Sequence, residues 1–68
     1  MVNNVKHYRE AKGLTQEALA KLADVSRQTI ISIEKGYYIP TTVLALKLQS
    51  ILKVKFEELF VLEKSDWT

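Results

Sequence analysis

The sequence predicts an all-α fold of five short helices, and three features carry that prediction. Apolar residues recur at helical spacing: Val5 and Tyr8; Leu19 and Leu22; Ile30 and Ile33; Leu44, Leu48, Ile51 and Leu52; then Phe56, Leu59 and Phe60. Side-chain oxygens stand at the starts, with Asn3 or Asn4 ahead of the first run, Thr15 the second, Ser26 the third and Thr41 the fourth. Each can accept a hydrogen bond from the backbone N–H groups that a helix start leaves free. Gly13 and Gly36 then fall where the first and third helices should stop, because glycine reaches the left-handed conformation without a Cβ clash, and Pro40 bars the third helix from running on.

After the fifth run, Val61 to Thr68 is too short for a further helix with its own core. Val61-Leu62 either pairs as a brief strand beside Val2-Asn3 or frays.

A chain of 68 residues has room for one core, because a domain this small buries only about 60% of its unfolded surface. Two glycines, one proline and no repeat leave no linker, so residues 1–68 are expected to form a single domain without a separate catalytic or sensor unit. With no cysteine there is neither a disulfide nor a thiolate metal site, and the lone His7 has no partner at ligand spacing. No cofactor or small-molecule ligand is expected. The longest apolar runs fall far short of the ~20 residues of a membrane span, and no signal-peptide core opens the chain, which suggests a cytoplasmic protein with no membrane partner.

Charge is unevenly placed. Residues 1–56 hold nine Lys/Arg against four Asp/Glu, whereas 57–68 hold one against four, so a +5 body precedes a −3 tail. A basic body suits a polyanion, and the acidic tail is expected to face away from it.

The informative segment is 15–36 with the leucine before it, LTQEALAKLADVSRQTIISIEKG. It reads as two hydroxyl-capped helices joined by the tight Asp24-Val25 turn. Leu19, Leu22 and Ala23 of the first and Ile30 and Ile33 of the second are expected to face inward, with Val25 plugging the turn. The second helix then presents Arg27, Gln28, Ile31, Ser32 and Lys35 outward. A helix in the DNA major groove needs such groups: Arg27 can grip guanine O6/N7, Gln28 can pair with adenine N6/N7, Ser32 suits either, and Ile31 can meet a thymine methyl. Ser26 and the first turn through Thr29 suit a phosphate, since a helix start carries partial positive charge and free N–H groups. Thr15 and Gln16 open the preceding helix, with the Gln16 side chain expected to aim at the same DNA backbone. Lys35, Tyr37 and Tyr38 can clamp phosphates beyond the helix; the tyrosines can equally pack the loop before Pro40.

At these residues the chain resembles a known family. LTQEALA, VSRQTI and IEKGYYIP, followed by ALKLQSIL and FEELF, are similar in order and spacing to the Cro/C1-type (lambda repressor-like, XRE) helix-turn-helix regulators of phage and bacteria, over roughly residues 4–60. The resemblance implies a five-helix lambda repressor-like domain whose third helix reads the major groove, and a homodimer on a pseudo-palindromic double-stranded DNA operator. By matching position it implies DNA contacts at Gln16, Arg27, Gln28, Ser32 and Lys35. It also implies a structural ion pair, Arg9 with Glu34, between the first and third helices. The opening VNNVKHYRE and closing FVLEKSDWT resemble compact members whose terminal strands help dimerisation. Asp24 stands where the family usually has a turn glycine, Ile31 and Thr42 exchange the usual polarity, Lys53 replaces a frequent terminating glycine and Lys55 a frequent capping serine.

Catalysis is not expected. Glu57 and Glu58, as helix neighbours, diverge by about 100° and cannot converge on one atom, and no His/Asp set accompanies Ser26 or Ser32. Their place in a first helical turn suits the glutamates to the helix dipole. Dimerisation is expected because one recognition helix distinguishes its site poorly from bulk DNA, and because residues 43–52 hold more apolar side chains than one helix face can bury. Leu44, Leu48, Ile51 and Phe60, with Leu62 and Trp67 of the 61–68 tail, are the candidate interface. The alternative is an antitoxin-like or scaffold protein whose helical surface binds another protein.

Overall fold

In the computed structural model, which describes residues 1–68, the chain runs β1 (Val2–Asn3), α1 (Val5–Ala11), α2 (Gln16–Ala23), α3 (Arg27–Glu34), α4 (Thr42–Leu52), α5 (Phe56–Leu59), β2 (Phe60–Val61) and a final 3₁₀ turn (Lys64–Trp67). The capping pattern explains where the helices begin. The hydroxyls of Thr15, Ser26 and Thr41 accept from the N–H groups of Ala18, Thr29 and Leu44 at 3.0, 3.1 and 3.2 Å. The Asn3 carboxamide oxygen does so for Val5 at 3.2 Å. α5 has no side-chain cap, as Lys55 implies, and carries Glu57 and Glu58 in its first turn instead.

Helix ends follow the same economy. Asp24 and Lys53 terminate α2 and α4 in the left-handed conformation, with φ of 58° and 55°, at the two places where the family more often has glycine. Asp24 suits this conformation, because short polar side chains enter it more readily than most.

One apolar cluster joins all five helices and the ribbon: Val5, Leu19, Ala20, Ala23, Ile30, Ile33, Leu44, Ala45, Leu48, Leu52, Leu59 and Phe60. On α4 the residues Leu44, Ala45, Leu48 and Leu52 span about 100° of arc at 100° per residue, which makes one inward face. Val43 and Leu46 fall on the opposite side and are exposed, and Ile51 lies on the flank, half-buried.

This packing corrects several expectations. Leu44, Leu48 and Phe60 are not available to a second subunit, because their side chains are buried within the protomer itself. Leu22 does not face inward and is 60% exposed. The buried stripe of α2 is centred between Leu19, Ala20 and Ala23, and Leu22 lies about 100° off that centre. The strand forms, but one residue earlier than Val61-Leu62: β1 and β2 pair antiparallel with Val2 opposite Val61 and Asn3 opposite Phe60. Phe60 is already extended as α5 ends, at φ −123° and ψ 124°, so its ring stays in the core while Leu62 is left outside. No helix is long and apolar enough to cross a membrane.

Candidate nucleic-acid interface

α3 is fixed from its inner face by Ile30 and Ile33, both fully buried. At 100° per residue, Gln28, Ser32 and Lys35 then lie within about 50° of the direction opposite that pair. Ile31 lies within the same arc, and Arg27 flanks it on one side and Thr29 on the other. Arg27, Gln28 and Lys35 are exposed, whereas Thr29, Ile31 and Ser32 are half-buried. The polar stripe read from the sequence is therefore the outer face of a short, firmly packed helix.

Two adjoining depressions shape the surface here. Ser26, Gln28, Thr29, Ser32 and Tyr38 line a shallow concavity of about 270 Å³ over the outer side of α3. Arg9, Thr15, Gln16, Glu17 and Arg27 line an entirely polar one of about 410 Å³ at the start of α2. Within the first, the Ser26 and Thr29 hydroxyls are hydrogen-bonded to each other at 2.9 Å, and either can be the donor. Tyr38 forms part of its wall, but Tyr37 is 81% exposed and belongs to neither depression. Glu17 places one carboxylate in the second, where Thr15, Gln16 and Arg27 would otherwise make a uniformly anion-seeking wall.

Beneath that second depression lies the ion pair. Arg9 Nε donates to Glu34 Oε2 at 2.7 Å and a terminal nitrogen donates to Oε1 at 3.3 Å, while the other terminal nitrogen donates to the Leu14 carbonyl at 2.7 Å. The two side chains are only 9% and 3% exposed. Hydrogen bonding to Glu34 holds the Arg9 guanidinium above its ordinary pKa, against the opposing effect of burial. Gln16 departs from its expected orientation: its Nε2 donates to Glu34 Oε1 at 3.1 Å, so the amide that was to aim at DNA is turned inward to the ion pair. Gln16 is half-buried and still lines the depression.

Asn3 and Asn4, expected at the start of the first helix, also connect distant segments. Asn3 Nδ2 donates to the Ile33 carbonyl at 2.8 Å, and Asn4 Nδ2 to the Glu58 carbonyl at 2.9 Å. No local pattern signals such bonds across 30 and 54 residues. The tail closes on the opposite end, where the Met1 ammonium meets Asp66 at 2.9 Å and Glu63 at 3.1 Å. Those contacts raise the ammonium above its ordinary value, with Asp66 the larger cause. Asp66 falls below its ordinary value, first because it accepts the Glu63 backbone N–H and then because of the ammonium. Ile51 is half-buried, Leu62 exposed and Trp67 76% exposed, so these three of the expected interface residues keep free surface. His7 packs edge-on against Tyr8 with ring centres 4.9 Å apart, on an exposed face.

Residues 5–59 match the helix-turn-helix family, and that span takes in all five helices. The chain belongs to that family. It is a Cro/C1-type transcriptional regulator with a DNA-binding fold, and not an enzyme. It is 50% identical over 66 residues to an HTH-type transcriptional regulator of Methanocaldococcus jannaschii, covering 97% of this chain and 100% of the relative. To an HTH-type transcriptional regulator of Bacillus subtilis it is 42% identical over 66 residues, with the same coverage of both. Among solved structures, the restriction-modification controller protein C.AhdI of Aeromonas hydrophila superposes with a TM-score of 0.76 at 38% identity, covering 82% of this chain and 85% of the other. A chain of the SinR protein/SinI protein complex superposes with a TM-score of 0.80 at 27% identity, covering 98% of this chain and 71% of that one.

Proposed function

We propose that residues 1–68 act as one domain that binds a pseudo-palindromic double-stranded DNA operator as a homodimer, with α3 in the major groove, and represses transcription by occupying a promoter. The observation that carries this reading is the outer face of α3. Its inner face is wholly committed to the core, so Gln28, Ile31 and Ser32, with Arg27 beside them, are free to meet base edges, and Lys35 at the helix end is free to meet phosphate. Thr15, Gln16, Ser26 and Thr29 serve phosphates at the two helix starts, and Tyr37 and Tyr38 serve them on the far side. Tyr38 also borders the concavity that Gln28 and Ser32 share. The likeness to C.AhdI, a restriction-modification controller protein, supports a regulatory role. The protein works inside the cell, on nucleoid DNA.

Isologous pairing would set two α3 helices about 34 Å apart, one turn of B-DNA. Ile51, Leu62 and Trp67 supply apolar surface for that pairing, together with Val2 and Val61, which pair across the ribbon and are both exposed. Leu62→Asp is expected to leave the fold intact and shift sedimentation from dimer to monomer; a persistent dimer would move the interface elsewhere.

Selection of bound duplexes from random oligonucleotides tests the whole reading. The expected product is a two-fold symmetric motif with half-site centres about 10 base pairs apart. Failure to enrich any motif, with the fold intact, favours the protein-binding alternative, for which the SinR/SinI pairing is the structural precedent. On the selected site Arg27→Ala should weaken binding by about 1–3 kcal/mol and relax one base preference. Lys35→Ala should weaken selected and scrambled duplexes alike and lower the salt slope by about one. Titrations on both duplexes distinguish the two, and identical behaviour of the variants would contradict the division of roles.

A further inference from the structure

We propose that Asn3 is a positioning residue, which ties the C-terminal end of the recognition helix to the terminal β ribbon and thereby sets how well the protein discriminates its DNA sequence. The inference rests on α3 being the groove-reading helix. Three elements meet at this one carboxamide. Its backbone pairs with Phe60 in the ribbon, its Oδ1 accepts the Val5 N–H that opens α1, and its Nδ2 donates to the Ile33 carbonyl in the last turn of α3. The Ile33 carbonyl also accepts the Gly36 N–H at 3.0 Å, so Asn3 completes the second acceptor site of an oxygen at the helix terminus.

The position of that end matters because α3 is only eight residues long, about 12 Å. A small tilt at one end moves Gln28 and Ser32 relative to base edges, and bidentate readout tolerates little misplacement. At this end α3 is anchored by two polar ties: the Glu34 carboxylate to Arg9 and Gln16, and the Ile33 carbonyl to Asn3. The first ties α3 to α1 and α2. The second alone reaches the ribbon, whose inner side is held by the buried Phe60 ring and whose outer side carries the exposed pair Val2 and Val61. Whatever presses on the outer side therefore bears on α3 through Asn3.

Asn3→Asp and Asn3→Ala separate this role from helix capping. Aspartate keeps the acceptor for Val5 and is favoured at a helix start, but it sets a carboxylate without a donor against the Ile33 carbonyl. Alanine loses both bonds. If Asn3 were only a cap, Asn3→Asp would match the wild type and Asn3→Ala alone would suffer. As a positioning residue, Asn3→Asp is expected to lower the ratio of selected-site to scrambled-duplex affinity at least as much as Asn3→Ala, by about five- to ten-fold, the scale of one net hydrogen bond. Asn3→Ser, which keeps a capping oxygen but is too short to reach Ile33, should behave like Asn3→Asp and serves if the aspartate variant folds poorly.

The DNA-free protein gives a second readout. Amide exchange at Gly36 should accelerate in Asn3→Asp and Asn3→Ser while exchange at Tyr8, in the middle of α1, stays unchanged. Unaltered Gly36 exchange in both variants overturns the proposal whether or not DNA binds. So does a wild-type affinity ratio in both. If instead the amides of α3 in the wild-type protein fail to shift on adding the selected duplex, the groove-reading role of α3 is what has failed.

Discussion

Glu34→Ala is expected to destabilise the protein by about 3–5 kcal/mol, because it strands a buried guanidinium. Arg9 has its side chain 9% exposed and would keep the Leu14 carbonyl and, at 3.9 Å, the Glu10 carboxylate, with its Nε left without a partner. Gln16 would lose its acceptor in the same step. A domain of 68 residues holds roughly 3–10 kcal/mol of net stability, so the loss consumes a large part of the total. For this size it should lower the melting temperature by roughly 15–30 °C, read by circular dichroism. The sign with pH is also fixed on the arginine side. Because its folded pKa is raised, Arg9 contributes fully below its ordinary value and is lost only as pH rises through the raised one, so it supports the fold across the whole usable range.

The penalty of breaking the pair is not the worth of the pair. Replacing both members with apolar residues of similar size, Arg9→Met with Glu34→Leu, should restore most of the lost stability. A double variant no more stable than Glu34→Ala would mean that the hydrogen bonds to Leu14 and Gln16, and not the orphaned charge, carry the effect.

The sequence made the helix starts legible because each cap is a local event. Thr15, Ser26 and Thr41 act three residues ahead, within the reach of a pattern. The outer face of α3 was legible for a similar reason, since Ile30 and Ile33 fix which side is buried and 100° steps place the rest. What escaped the pattern depends on contacts between distant segments. Asn3 reaching Ile33, Asn4 reaching Glu58, and Gln16 turning to Glu34 are choices among several hydrogen-bond partners, and only the assembled fold decides between them. Leu22 and Leu48 erred in opposite directions for one cause. Periodicity finds an apolar stripe, but the width of the buried arc is set by the neighbouring helices, so Leu22 was placed inside and Leu48 at an interface.

Leu48 turns that difference into a measurement. It is fully buried within the protomer, at the centre of the α4 face formed by Leu44, Ala45 and Leu52. Leu48→Ala should therefore cost about 2–5 kcal/mol, the transfer free energy of the lost methyl groups plus the cavity left where the surrounding helices cannot collapse. The loss belongs to the protomer, so it should be the same at concentrations where the protein is monomeric and should leave the association constant of the folded chains nearly unchanged. Denaturant unfolding across a dilution series, with sedimentation under native conditions, separates the two. If dilution removed the difference between variant and wild type, Leu48 would have to face a second subunit, and the single core that fixes α3 against α4 would lose its central side chain.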